Sequence, residues 1–197
     1  MIRDTTFIVV DTETTGTVGA TDKIIEIGAS KVRNGEIIDT FHTLLNPGVL
    51  IPHNVMQIHN ITDSMVAMSP SFADIVDEFM DFMDRDAIFT AHNVDFDKDF
   101  INHELKRIGK CPLPHQSLCT IKLARKVFPY FKRYGLGFLC DSFGVEIPNA
   151  HRALDDSLAT AKILIKMLEE LEAEGMIHLK DINLRSIPKA VPTLSMF

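Results

Sequence analysis

Two carboxylates one residue apart, Asp11 and Glu13, close an apolar run, Phe7-Ile8-Val9-Val10. A continuous apolar run of this length reads as a strand buried on both faces. Side chains alternate along a strand, so Asp11 and Glu13 point to the same side. Two like charges there repel each other unless something neutralises them. A divalent cation does so, because Mg²⁺ and Mn²⁺ take carboxylate oxygen and keep waters that a phosphate can displace. A strand ending in a polar turn accounts for the same residues, so the rest of the chain must separate the two readings.

Two further carboxylates come from helical periodicity. In Asp95-Phe96-Asp97-Lys98-Asp99, a turn of about 100° per residue puts Asp97 on one stripe with Ile101, Leu105 and Ile108, facing the core. Asp99 falls roughly opposite, and Asp95 sits where an N-cap would. Asp97 is an inward charge in the first turn and needs a partner. In His151-Arg152-Ala153-Leu154-Asp155-Asp156, Asp155 falls with the wet face defined by Lys162, Lys166, Glu169 and Glu170. Asp156 falls with Thr160, Ile163 and Met167, so it is the inward one. His151 precedes it at the helix entrance, where a loop leaves the ring partly exposed.

Four inward carboxylates and a histidine form a coherent set. Two divalent ions about 3.5–4 Å apart can clamp a phosphodiester in line between attacking and leaving oxygens. Asp11 on a rigid central strand suits the bridging position, with Glu13, Asp97 and Asp156 completing the ligands. His151 would deprotonate the attacking water, as imidazole, which titrates near neutrality, can.

The elements that must carry these residues follow in order. Strands are expected from Phe7 to Asp11 or a little beyond, over 24–33 and over 36–45. Asn34-Gly35 joins the last two as a type I′ hairpin. Residues 47–62 read as loop with a short helix. Ser69-Pro70-Ser71 opens a helix with Phe72, Ile75, Val76, Phe79 and Met83 on one face. The acids Asp74, Asp77, Glu78 and Asp81 on its other side read as a solvated face. A strand over 87–91 runs into His92-Asn93. Helices follow over about 95–108, 120–128, 136–143 and 153–174, the last stopped by Gly175. Hairpin strands followed by alternating strands and helices imply an α/β fold, a mixed sheet flanked by helices.

Composition sets bounds. The chain has 197 residues, 46% of them hydrophobic, enough for one core. Its net charge of −7 argues against a protein that coats long nucleic acid, but not against one that grips a few nucleotides through bound cations. Cys111, Cys119 and Cys140 lack metal-ligand spacing and read as buried free thiols in a reducing cytoplasm. Neither a signal peptide nor a membrane span is expected.

Together, Asp11-Thr12-Glu13, Asp97 after His92-Asn93, and His151-x-Ala153-x-x-Asp156 resemble the DEDDh 3′–5′ exonucleases, over roughly residues 5–172. That family includes epsilon-type proofreading subunits of bacterial DNA polymerase III, PolC-type exonuclease regions, RNase T and oligoribonuclease. The resemblance implies a ribonuclease H-like fold, antiparallel strands 1–3 plus parallel strands, in a domain over 1–175. It also implies two Mg²⁺ or Mn²⁺ ions and release of mononucleotides from DNA 3′ ends, single-stranded or frayed, in proofreading, replication or repair. RNA is the alternative substrate. A catalytically silent subunit that stabilises a polymerase is the alternative role.

The resemblance further implies nucleotide contacts. Thr14, Thr15 and Gly16 would approach the terminal nucleotide through backbone, with Glu13 near its 3′-OH. His59, within Ile58-His59-Asn60-Ile61-Thr62, would line the pocket, with Asn93 and Phe96 beside Asp97. Loop anchoring and core packing are the competing readings for His59 and Phe96. The stretch Lys122, Arg125, Lys126, Phe128, Tyr130, Phe131, Lys132, Arg133, Tyr134 reads either as a grip on a single strand or as a solvated face over core aromatics. The tail, 176–197, ends Thr193-Leu194-Ser195-Met196-Phe197. It resembles the short peptides that dock bacterial replication proteins on the sliding clamp, with Thr193 where Gln usually leads. A polymerase III alpha-type subunit is the other expected partner, and an unstructured terminus the competing reading.

Overall fold

The computed structural model describes residues 1–176, 178–182 and 184. Its five strands are β1 (Phe7–Thr14), β2 (Ile24–Arg33), β3 (Glu36–Leu44), β4 (Ile88–Ala91) and β5 (Ser117–Cys119). They form one mixed sheet in the order β3-β2-β1-β4-β5. β1, β2 and β3 are antiparallel, and β4 and β5 add on parallel to β1. Asn34 and Gly35 both take positive φ, 55° and 77°, as the expected hairpin turn requires. β1 continues to Thr14, so Glu13 lies within the ladder, opposite Glu26. β5 is only three residues long, too short to show a period, and was not expected from the sequence.

The helices are α1 (His53–His59), α2 (Asp63–Val66), α3 (Phe72–Phe82), α4 (Val94–Arg107), α5 (Thr120–Val127), α6 (Leu136–Phe143) and α7 (Ala153–Ala173). α3 starts on a capping box, in which the Ser71 N–H donates to Asp74 at 2.8 Å. The sheet separates two cores. Ile8 and Val10 of β1 face α3 and α4, whereas Phe7 and Val9 face α5, α6 and α7. Alternation therefore sends Asp11 and Glu13 toward the α7 side.

Some expectations change. α4 begins at Val94 with Asn93 as its N-cap in a left-handed conformation (φ 85°), so Asp95 is not the cap. Cys119 and Cys140 are buried, but Cys111 is exposed, in a loop where no strand or helix draws it inward. Beyond α7, Ile182 is buried and Met176, Leu179 and Leu184 pack against the α7-side core. Thr193–Phe197 lies outside the described residues. Among the described residues no helix is long and apolar enough to cross a membrane.

Candidate active site

The parallel strands β1, β4 and β5 share one carboxyl edge, where ligands commonly sit in open α/β sheets. β1 brings Asp11 and Glu13 there. β4 leads through His92-Asn93 into α4, whose first turn carries Asp97. The Asp97 side chain is 2% exposed. Its Oδ1 accepts from the Thr12 N–H at 3.0 Å and the Thr12 hydroxyl at 2.9 Å. The partner that Asp97 needs is thus the residue between the two β1 carboxylates, which ties α4 to β1.

α7 supplies the rest. His151 is exposed and adopts a left-handed backbone, φ 62°. That conformation turns the chain so that the His151 N–H donates to Asp156 Oδ2 at 3.1 Å. Asp156 is buried, as are Thr160, Ile163 and Met167, so the carboxylate that the periodicity turns inward is the buried one of the pair. Ligand atoms of Glu13, His151 and Asp156 all lie within 4.8 Å of one another. Asp11 is close enough to Asp97, Asp156, Glu13 and Glu26 for each to affect its protonation.

The start of α7 is seated by residues that the sequence reading missed. Glu26 of β2 is fully buried. It accepts from Arg152 Nε and Nη2, at 3.1 and 2.7 Å, and from the Ala153 N–H at 3.0 Å. Its Oε1 also meets His42 Nε2 at 2.7 Å. Burial pushes the Glu26 carboxyl up, but Arg152, His42 and the Ala153 N–H pull it below its ordinary value. Next along the same strand face, Gly28 admits the α7 backbone. A Cβ there would lie 2.2 Å from Ala153 C and Leu154 N. Ser157 then donates to the Val9 carbonyl at 3.1 Å and takes the Ser30 hydroxyl at 2.6 Å. The available signal was one charge inside the apolar run Ile24-Ile25-Glu26-Ile27, a pattern that demands a partner. Glu26→Gln is expected to cost about 2 kcal/mol of stability in denaturant unfolding. It should also lower kcat more than it raises KM, because His151 and Asp156 lose their seating. Unchanged stability and kcat would show that Arg152 and Ala153 do not depend on this carboxylate.

The electrostatics are one-sided. Burial, then the charges of Asp97, Asp156, Glu13 and Glu26, hold the Asp11 carboxyl well above its ordinary range. Glu13 is pushed up to about 8, first by burial and next by Asp156. Asp97 is raised to about 7 by burial, against the pull of the Thr12 hydrogen bonds. Asp156 is also raised, chiefly by burial. Asp11 and Glu13 are partly exposed, as groups lining an open cleft are, yet lie deep enough for lost hydration to dominate. Asp156 Oδ1 is buried without a hydrogen-bond partner among the described residues. Repelling carboxylates and an orphaned carboxylate oxygen are the donor set that a hard divalent cation satisfies.

The expected substrate residues surround this edge. The Thr14 hydroxyl donates to the Gly16 carbonyl at 2.6 Å. The Thr15 N–H donates to Lys23, whose N–H returns a bond to the Thr15 hydroxyl, so this turn is braced from behind. His59 is buried, and its Nδ1 accepts from the Ile61 N–H at 2.9 Å. That bond makes Nε2 the protonated nitrogen, and Nε2 is buried with no partner among the described residues. The His59 environment includes Glu26, Arg152 and His151. Phe96 packs on Phe100 at 4.8 Å with the rings tilted by 45°, and it is only half-buried. Asn93 is exposed at the start of α4.

Comparison with known proteins agrees with this arrangement. The family profile described as exonuclease (RNase_T) matches residues 8–164. DNA polymerase III PolC-type from Staphylococcus aureus is 38% identical over 183 residues, 93% of this chain. The chain spans only 13% of the length of that relative. Among solved structures, exonuclease X in complex with 5′ overhanging duplex DNA is 28% identical, with a TM-score of 0.71 over 89% of this chain and 96% of that one. The nuclease domain of 3′hExo, a DEDDh family member bound to rAMP, shares the fold at 16% identity and a TM-score of 0.74, over 92% and 96% of the two chains. The mixed sheet with flanking helices is therefore the ribonuclease H-like arrangement that the sequence implied.

Proposed function

The chain belongs to the RNase_T exonuclease family, as a 3′–5′ exonuclease of the DEDDh type, and from that premise we propose that it trims DNA 3′ ends by two-metal phosphodiester hydrolysis. The observation that carries this is the convergence of Asp11, Glu13, Asp97 and Asp156 on one sheet edge with His151 beside them. Asp11, Glu13, Asp97 and Asp156 would hold two Mg²⁺ or Mn²⁺ ions. Bound there, such ions would supply positive charge that polarises the scissile phosphate and makes the attacking water more acidic. His151, exposed and within reach of Glu13 and Asp156, accepts the proton from that water. The water oxygen bonds to phosphorus, the bond to the 3′ oxygen of the preceding nucleotide breaks, and a nucleoside 5′-monophosphate leaves. Thr14 to Gly16 flank the terminal nucleotide, with Glu13 near its 3′-OH. His59 offers its unpaired Nε2–H to the same nucleotide, and Asn93 and Phe96 border it beside Asp97.

DNA is the preferred substrate because the PolC-type relative is a DNA polymerase and exonuclease X was solved with a DNA duplex. That kinship supports a cytoplasmic role in proofreading, replication or repair beside a polymerase III alpha-type subunit. The Thr193–Phe197 peptide would add a contact to the sliding clamp. The deciding experiment digests DNA and RNA strands of matched sequence, labelled at either end, with Mg²⁺ or with EDTA. Mononucleotides should appear from the 3′ end of DNA at least about tenfold faster than from RNA, a difference of about 1.4 kcal/mol. EDTA should stop both. Faster RNA digestion would make the protein an exoribonuclease, and persistence in EDTA would remove the metal mechanism.

A further inference from the structure

The connection from α5 to α6 carries a charge pattern unlike the rest of the molecule. Between Thr120 and Cys140 there are five cations, Lys122, Arg125, Lys126, Lys132 and Arg133, and no acid, in a chain of net charge −7. All five are exposed. The aromatics interleaved with them do a different job. Phe128 and Phe131 stack at 5.1 Å and 14°, and Phe131 meets Phe138 edge-on at 5.7 Å. The Tyr134 hydroxyl donates to the Phe128 carbonyl at 2.8 Å, and Arg125 lies over the Tyr134 ring. These rings fold the connection onto itself and turn its cations outward. Tyr130 meets Phe128 and Phe131 nearly at right angles, at 6.2 and 5.2 Å, and is 73% exposed, so it reaches the surface.

The position of this connection gives the pattern its meaning. At its start, Thr120 Oγ1 is 2.9 Å from His92 Nδ1, and Lys122 is 3.8 Å from Asp95, two residues before Asp97. Its far end, α6, packs on α7, the helix that carries Asp156, with Leu139 and Cys140 in one core with Ile163 and Leu164. The segment that carries the basic residues therefore starts against α4 two residues before Asp97 and returns to the helix that carries Asp156. Carboxylates that close repel a polyanion, so an adjoining cationic surface is what holds the strand near them.

We propose that residues 122–134 form the track for a single nucleic-acid strand on the 5′ side of the scissile phosphate, with the five cations on successive phosphates and Tyr130 stacked on one base. The track rests on the exonuclease reading and adds the surface that sets affinity for long strands. Its main interaction is phosphate contact, since Tyr130 is the one strongly exposed ring among residues 122–134.

The test reverses Lys132 and Arg133 together, Lys132→Glu/Arg133→Glu. These residues lie outside the helices, between α5 and α6, and are not among the candidate metal ligands. KM is measured on oligodeoxythymidylates of two to twenty nucleotides. Binding of fluorescent dT20 is followed by anisotropy in EDTA, so that it is read without hydrolysis. A matched control, Arg33→Glu/Arg85→Glu, reverses two exposed cations at the opposite edge of the sheet. The ratio of variant to wild-type KM should rise from about one at two nucleotides to about tenfold at twenty. The salt slope of dT20 binding should fall by about 1.4, two contacts at about 0.7 each. Tyr130→Ala should weaken dT20 binding further at fixed salt slope, because stacking releases no counterions. A ratio independent of strand length, or equal losses in the control, would overturn the track. If the wild type binds dT20 but hydrolyses no strand, the exonuclease reading fails while the anisotropy comparison still decides the track.

Discussion

Asp11→Asn is expected to abolish nucleotide release while making the metal-free protein more stable. The activity loss should be about a thousandfold or more in kcat, about 4 kcal/mol, as for removal of a preorganised electrostatic group from a transition state. The stability gain follows from the same crowding. Asp11 is held well above its ordinary pKa by burial and then by Asp97, Asp156, Glu13 and Glu26. A carboxyl whose folded pKa is raised binds its proton more tightly when folded. Below the unfolded value, near 4, its proton is bound in both states, and its contribution to stability is fully present. As pH rises through the raised folded value of Asp11, that contribution is lost. Metal-free wild type should therefore lose ground to Asp11→Asn between pH 5.5 and pH 8. Thermal unfolding in EDTA at the two pH values reads the difference directly. Excess Mn²⁺ at pH 8 should raise the wild-type Tm and leave the variant nearly unmoved, because binding to the folded state alone stabilises it. A variant less stable than wild type in EDTA at pH 8 would mean that Asp11 is a structural carboxylate satisfied by the protein.

The second large effect separates His151 from the metal ligands. His151→Asn should lower kcat by about a hundredfold to ten-thousandfold, the usual span for removing a positioned general base. Asn is the appropriate replacement because the residue sits at φ 62°, and Asn tolerates that region better than most residues. The His151 N–H to Asp156 survives the change, since it is a backbone donor. KM, the Mn²⁺-induced Tm shift and unfolding in denaturant should consequently stay close to wild type, for the side chain is exposed. Combined loss of Mn²⁺ binding and activity would reassign His151 as a ligand, and retention of kcat within about tenfold would remove it as the base.

Several features were legible in the sequence because local periodicity encodes them. Asp97 was separated from Asp95 and Asp99, and Asp156 from Asp155, because a helix face repeats with a fixed turn per residue, and burial follows the face. The hairpin at Asn34-Gly35 was legible because only a positive φ at both residues fits its twist. The aromatic stretch from Phe128 to Tyr134 was legible only in part. Its composition shows rings and cations, but which rings pack on one another depends on α6, which brings Phe138 and Phe143 back onto Phe131.

Sequence by itself marked Asp11, Glu13, Asp97, His151 and Asp156 as the candidate site, and it determined the mixed α/β sheet that carries them. Each of these rests on residue type and on spacing within one strand or one helix. Tertiary structure decided how the candidate site is held. Thr12 is the partner of Asp97, 85 residues away in the chain. Glu26 seats Arg152 and Ala153 from a distance of 126 and 127 residues. Gly28 leaves the space into which the start of α7 fits. No local pattern specifies such pairings. They exist because a buried charge, donor or backbone must find its complement wherever packing of the sheet against α4 and α7 brings one within reach.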